Sequence, residues 1–150
     1  MPAFKRILVP VDGSDTSKKA LAVALEMARD SNGRVRLFHA VDELAYVTGF
    51  EYSGDVIKIA QQAASKVLEE AAGIAKAAGV QNDTRLVEFP GQRLGDTVAE
   101  EARNWEADLI VVGTHGRRGL GRVILGSGAE QIIRVAPIPV LTIRGEDRPG

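Results

Sequence analysis

The chain contains no cysteine, which excludes disulfides, thiolate catalysis and every cysteine-based metal site. Histidine is scarce: His39 and His115 are the only two, too few for a histidine metal centre. No apolar run approaches the roughly 20 residues that a helix needs to cross a bilayer. Residues 1–15, MPAFKRILVPVDGSD, set Lys5 and Arg6 ahead of an apolar segment. Pro10 interrupts that segment and Asp12 ends it, too soon for a secretory signal core. The expectation is a soluble, cytoplasmic protein without membrane insertion. Positive charge is not in excess either, and a formal net charge of -1 argues against a nucleic-acid binder relying on overall charge. A local basic patch is still compatible with it. Low-complexity tracts and internal repeats are also missing.

Two familiar nucleotide signatures are absent as well. A Walker loop needs Gly-Lys-Ser/Thr at a helix start, whereas this chain has Gly126-Ser127 without a lysine. The Rossmann pattern fails because Gly119 and Gly121 are followed by Ile124 where its third glycine belongs.

What is present is an ordinary globular composition, 45% hydrophobic and 26% charged over 150 residues, enough for one domain with a sizeable core. Ile7-Leu8-Val9-Pro10-Val11 reads as a first strand ending at Asp12-Gly13-Ser14-Asp15, where Ser14 or Asp15 can cap the next helix. That helix carries Leu21, Ala24, Leu25 and Ala28 as a one-sided stripe. Asn32-Gly33 stops it, with Gly33 suited to the left-handed position. Residues 34–41 form a second strand, with Val35, Leu37 and, as an open case, His39 on one face. Residues 42–54 lack periodicity and read as a loop, either a functional lid or a packed surface segment.

A long helix follows over 55–78, with Ala60, Ala64, Val67, Leu68, Ala71, Ile74 and Ala78 on one side and Gly79 as its stop. Residues 84–89 read as a third strand, Pro90-Gly91 as a turn, and 94–105 as a helix with Leu94, Val98, Ala102 and Trp105 inward. Then come a strand at 109–113, a glycine-rich loop, a helix at 127–135 and a last strand at 140–143. This alternation predicts an α/β fold with a mainly parallel sheet. Ligands of such sheets sit beyond the strands' carboxyl ends, where Asp12, Ala40-Val41 and Gly113 all fall.

The chain is organised around 108–134, DLIVVGTHGRRGLGRVILGSGAEQIIR. A buried-strand run, a glycine-rich basic loop and a helix start make an anion site, because the first amides of a helix lack intrahelical partners and sit at the dipole's positive end. Gly113 would let a ligand lie against bare backbone, and Gly116 can take positive φ. Gly126 and Gly128 flank Ser127, so phosphate oxygens could approach the amides and the Ser127 hydroxyl. Equally, Ser127-Gly128-Ala129-Glu130 is a capping box, which is compatible with anion binding. Arg117, Arg118 and Arg122 suit a polyphosphate or a solvated loop. His115 could touch a ribose or phosphate, or simply face solvent. Asp12 could accept from a base or ribose or hold a metal through water, or form only the turn into the first helix. His39 reads as a satisfied, half-buried strand residue.

The spacing Gly113-x2-Gly116-x9-Gly126-Ser127 resembles the nucleotide-binding pattern of the universal stress protein family, in its ATP-binding branch. The likeness runs along nearly the whole chain: residues 7–14 resemble the family's opening strand and turn, 37–41 its second strand and 136–141 its closing segment. The resemblance implies a single, doubly wound five-stranded parallel sheet of order 3-2-1-4-5 with helices on both faces. It implies adenine near Pro10, Val11, Asp12 and Ala40, and ribose near Gly113. Phosphates would lie on Gly116, Gly126, Ser127 and the following helix start at Gly128 and Ala129, with His115 and Arg117 close by. The ligand would be ATP, or AMP or cyclic AMP, with Mg2+ held mainly by the phosphates.

Homodimerisation through Val140–Ile143 is implied too, and an otherwise exposed apolar edge strand argues independently for a partner. Gly128-Ala129 departs from the family, which often has Val, Ser or Thr there, so Ala129 removes a hydroxyl contact. The leading expectation is a nucleotide-dependent dimeric switch in the stress response, acting on an unidentified protein partner with little or no turnover. A slow ATPase or phosphotransferase is the alternative, though no residue stands out as a water-activating base. A nucleotide-free interaction dimer is a third, which the intact glycine-serine pattern disfavours.

Overall fold

Strands with both faces apolar need cover on both sides, and the chain supplies it by following each strand but the last with a helix. A computed structural model describes residues 4–41, 54–88, 91–114 and 127–145. Its elements are β1 (Arg6–Pro10), α1 (Asp15–Ser31), β2 (Arg34–Val41), α2 (Gly54–Ala77), β3 (Gln81–Glu88), α3 (Leu94–Asn104), β4 (Leu109–Gly113), α4 (Ser127–Val135) and β5 (Val140–Ile143). The five strands form one sheet of order β3-β2-β1-β4-β5, and every pairing in it is parallel. The fold class is the one the alternation of elements predicts, and the strand order is the one the family resemblance implies.

Side-chain alternation along the central strands splits the core in two. Ile7, Val9, Val35, Leu37, Leu109 and Val111 face the layer of α1 and α2, meeting Leu21, Ala24, Leu25 and Ala28 of the expected stripe. Leu8, Phe38, Ile110 and Val112 face the other layer, meeting Val98 and Ala102 of α3, Trp105, and Ala129 and Ile132 of α4. Each large side chain so buried contributes about 1.5–3 kcal/mol. On α2, Ala60, Ala64, Leu68, Ala71 and also Ala75 are buried, while Val67, Ile74 and Ala78 flank that line half-buried. Small residues on this face let the long helix lie close to the sheet.

Three local expectations are corrected. β3 starts at Gln81, three residues before the predicted onset, and pairs with β2 along Arg34 to Val41. Its first residues are exposed and polar, so backbone pairing rather than burial defines it. Asn32 and not Gly33 takes the left-handed conformation after α1, with φ 56°. Gly33 is needed for a different reason: a Cβ there would lie 2.8 Å from the Lys5 carbonyl oxygen and 2.9 Å from Lys5 Cα. Leu94, expected inward, is 37% exposed, while its neighbour Gly95 is the buried residue of that turn, pressed against Gln131 of α4. Gly79 does close α2 with φ 72°, as predicted.

At the sheet's amino-terminal end, polar contacts tie strands to α3. The Trp105 ring has the Arg6 guanidinium carbon 4.4 Å and the Arg36 guanidinium carbon 4.8 Å from its centroid. Arg6 donates to the Trp105 carbonyl through Nε and Nη2, at 3.0 and 2.7 Å. Arg36 makes a two-bond fork to Asp83 at 2.8 and 2.9 Å and reaches the buried Glu101 at 2.7 Å. The bonds to Asp83, aided by Glu101 and opposed by burial, hold the Arg36 pKa above its ordinary value. Asp108 accepts the backbone amides of Lys5 and Arg6 at 2.8 and 3.0 Å, fixing where β1 begins beside β4.

Two glycines should respond oppositely to alanine. G33A pushes a methyl into Lys5 backbone and is expected to destabilise by about 1–3 kcal/mol. G73A, within α2 with nothing within 4 Å of the new methyl, is expected to stabilise by about 0.5–1 kcal/mol. Urea unfolding of the two variants checks both signs.

Candidate functional site

The connection after β1 runs to β2 on one side, while β4 lies on the other, so the sheet's order reverses between β1 and β4. In doubly wound sheets such a reversal is where ligands settle, beyond the carboxyl ends of the strands. β1 ends at Pro10, and Val11 continues its ladder by donating to the Phe38 carbonyl at 2.8 Å. Pro10 pairs with Phe38 in register, so the residues that follow on each chain segment, Val11-Asp12 and His39-Ala40, leave at the same end of the sheet. Gly113 ends β4 on the opposite flank, and the ladder goes one residue further, Thr114 donating to the Ile143 carbonyl at 2.9 Å. Pro10, Val11, Asp12, Ala40 and Gly113 are thus brought to one end of the sheet.

The turn after β1 is internally braced. Asp12 Oδ1 accepts from the Ser14 amide at 2.9 Å, and the Asp12 amide donates to Ser17 Oγ at 3.1 Å. Ser14 caps α1 by accepting from the Ser17 amide at 3.1 Å, while Gly13 takes φ 83°. Asp12 therefore builds the turn whatever else it does. Ser17, buried beneath this turn, escaped the sequence reading; its signal was a second serine three residues after the cap. His39 Nδ1 lies 2.6 Å from the Val11 carbonyl. A carbonyl only accepts, so Nδ1 carries the proton, and His39 is the satisfied strand histidine expected.

Gly113 has a packing role that the spacing did not reveal. A Cβ on it would lie 2.7 Å from Thr16 Cγ2 and 3.0 Å from the Thr16 carbonyl carbon and oxygen. The missing side chain lets the first turn of α1 press against the end of β4. Thr114, next in sequence, was also missed. It is 6% exposed, and its hydroxyl has no hydrogen-bond partner among the described residues.

α4 opens at Ser127, as predicted. The Ala129 methyl is buried in the second core, so Ala129 has only its amide to offer a ligand. A Cβ on the half-buried Gly128 would lie 3.1 Å from Leu94 Cδ2. Glu130, the acid of the expected capping box, pairs through Oε1 with Arg134 at 2.8 Å. His115, Gly116, Arg117, Arg118, Arg122 and Gly126 lie outside the described residues. Among the described residues there is no group of three or more His, Cys, Asp or Glu able to hold a metal, and no helix long and apolar enough to cross a membrane.

A model of the universal stress protein family matches residues 3–144. A universal stress protein of Thermus aquaticus is 34% identical over 141 residues, covering 94% of this chain and 99% of its own length. Another, of Methanocaldococcus jannaschii, is 32% identical over 145 residues, 94% of this chain and 82% of its own. A solved structure from Burkholderia pseudomallei in this family matches with TM-score 0.76 at 31% identity, over 95% of this chain and 98% of that one. A universal stress protein in complex with cAMP matches with TM-score 0.68 at 28% identity, over 95% and 98% of the two chains. That of Archaeoglobus fulgidus in complex with dAMP matches with TM-score 0.69 at 26% identity, over 95% and 99%.

The packing at Gly113 is open to direct test. G113A forces the methyl against Thr16 backbone and is expected to cost about 1–3 kcal/mol in chemical denaturation. T16A should not rescue it, because the carbonyl atoms stay where they are.

Proposed function

The chain belongs to the universal stress protein family, and on that premise we propose that it binds an adenine nucleotide at the carboxyl ends of its strands. The observation that carries this reading is the convergence, at the β1/β4 reversal, of the Asp12 turn, Gly113 and the sheet end nearest Ala40. The amino terminus of α4, nine residues long, adds amides without intrahelical partners. The complexes of related proteins with cAMP and dAMP support an adenine nucleotide as the ligand class.

In this reading Pro10, Val11, Asp12 and Ala40 hold adenine, and Gly113 borders the ribose. Gly116, Gly126, Ser127, Gly128 and Ala129 receive phosphates, with His115 and Arg117 beside them. The nucleotide is ATP, carrying Mg2+ mainly on its phosphates. The output is a cytoplasmic dimeric switch rather than turnover: β5 ends the sheet order, and its four residues are each half-buried in the single chain. A second copy joining at that edge would complete their burial.

A ligand at about 100 times its dissociation constant stabilises a protein by roughly 2.7 kcal/mol. For a chain of this size the thermal midpoint is expected to rise by roughly 5–10 °C with ATP and magnesium. G126V should abolish the rise without lowering the ligand-free midpoint. Sedimentation of the same samples reads the dimer. No shift with ATP, AMP or cyclic AMP, or a monomer throughout, would contradict the corresponding half of the proposal.

A further inference from the structure

We propose that Asn32-Gly33 is a modification site locked by the fold, whose asparagine deamidates to isoaspartate and aspartate only in chains that have opened the corner between α1 and β2. The inference is independent of the nucleotide reading and concerns the opposite end of the sheet.

Asparagine is a thermolabile residue, and its deamidation runs through its own backbone. The Gly33 nitrogen attacks Asn32 Cγ. That C–N bond forms, the Cγ–Nδ2 bond breaks, and ammonia leaves with the proton that the Gly33 nitrogen gives up. Water then adds to either carbonyl of the cyclic imide, giving aspartate or isoaspartate. A following glycine favours closure because no Cβ hinders the attacking nitrogen. This is the one Asn-Gly pair in the sequence; Asn82 precedes Asp83 and Asn104 precedes Trp105. Asn32 is exposed and Gly33 half-buried, so water reaches the dipeptide.

The folded corner withholds the attack in two ways. Closure needs the Gly33 nitrogen on the same side of the Asn32 Cα–C bond as Cβ. At φ 56° and ψ 39° it lies nearly opposite, so the reacting atoms are turned apart. The Gly33 amide is also engaged: it donates to the Ala28 carbonyl at 2.8 Å, the bond that closes α1 around its left-handed cap. Both flanks of the dipeptide are held as well. The Arg34 amide donates to the Lys5 carbonyl at 2.8 Å, Ser31 Oγ to the Phe4 carbonyl at 2.6 Å, and Lys5 Nζ to the Ser31 carbonyl. Asp108 in turn holds the Lys5 amide at 2.8 Å. The attack therefore waits on local opening of this set of bonds.

For the fold the reaction is one-way. Isoaspartate routes the main chain through Cβ and Cγ, adding an atom to it between residues 32 and 33. The corner has no slack for that atom: a Cβ on Gly33 would already lie 2.8 Å from the Lys5 carbonyl oxygen, and Arg34 must still meet Arg6 in register. A chain that has opened and reacted thus keeps a record of it.

The test is peptide mapping by mass, with isoaspartate-specific methyl labelling, of the full chain incubated folded and in urea at one mildly alkaline pH. Conversion at Asn32 is expected to run at least roughly tenfold slower in the folded chain, which reacts only through its open fraction. N32G, which suits the left-handed position, should show no conversion there in either state. After dilution from urea, the isoaspartate fraction is expected to lack the wild-type thermal midpoint, whereas N32D, which keeps the main-chain length, should fold. Equal rates in the folded and unfolded chain would overturn the lock, and no conversion in urea would overturn the site. An isoaspartate fraction that regains the wild-type midpoint would contradict the one-way reading of the corner.

Discussion

Burial of both faces of β1 and β4 is the constraint from which the rest of the structure follows. Ile7, Leu8, Val9, Ile110 and Val111 have essentially no exposure, so each central strand must be sealed by helices on two sides. A chain can achieve that with parallel strands only by crossing over after each one. Two crossovers run from β1 towards β3, and those after β3 and β4 bring β4 and then β5 to the other flank. The reversal between β1 and β4 is thus a by-product of sealing the core, and such a reversal is where sheets of this kind receive ligands.

The two ends of the sheet are built by different physics. At the amino-terminal end, Arg6, Arg36, Trp105, Glu101 and Asp108 interlock through charge-assisted bonds and ring contacts, each satisfied by a neighbour. At the carboxyl end the short contacts are backbone approaches, such as Gly113 against Thr16, and bonds internal to a turn, such as Asp12 with Ser14. The saturated end holds strands to helix. The other end leaves a buried hydroxyl at Thr114 without a partner among the described residues, and it carries the start of α4, where the first amides of a helix have no intrahelical acceptors.

Much of this was legible in the sequence, for identifiable reasons. The stripe Leu21, Ala24, Leu25, Ala28 and the run 109–112 announce themselves because burial writes period and composition into the chain. The strand order came from resemblance to a family, since hydrophobic patterning does not specify which strands are neighbours. The onset of β3 was illegible because an exposed edge strand needs backbone pairing and no apolar pattern. Asn32 and Gly33 exchanged roles because either can end a helix, and only the approach of Lys5 decides between them. Gly113 was marked by its spacing, yet its contact with Thr16 involves a residue nearly a hundred positions away. Thr114 carried no signal at all: a threonine after a strand is unremarkable until its burial and its missing partner are seen together.

The account's central claim is that one end of one sheet carries the ligand. Backbone amide resonances followed during titration with AMP test it most directly. The account predicts that the largest shifts fall at Val11, Asp12, Ala40, Gly113, Thr114 and residues 127–129, while Arg6, Arg36 and Trp105 at the opposite end stay still. Largest shifts at the amino-terminal end, or along the exposed face of β3, would contradict it.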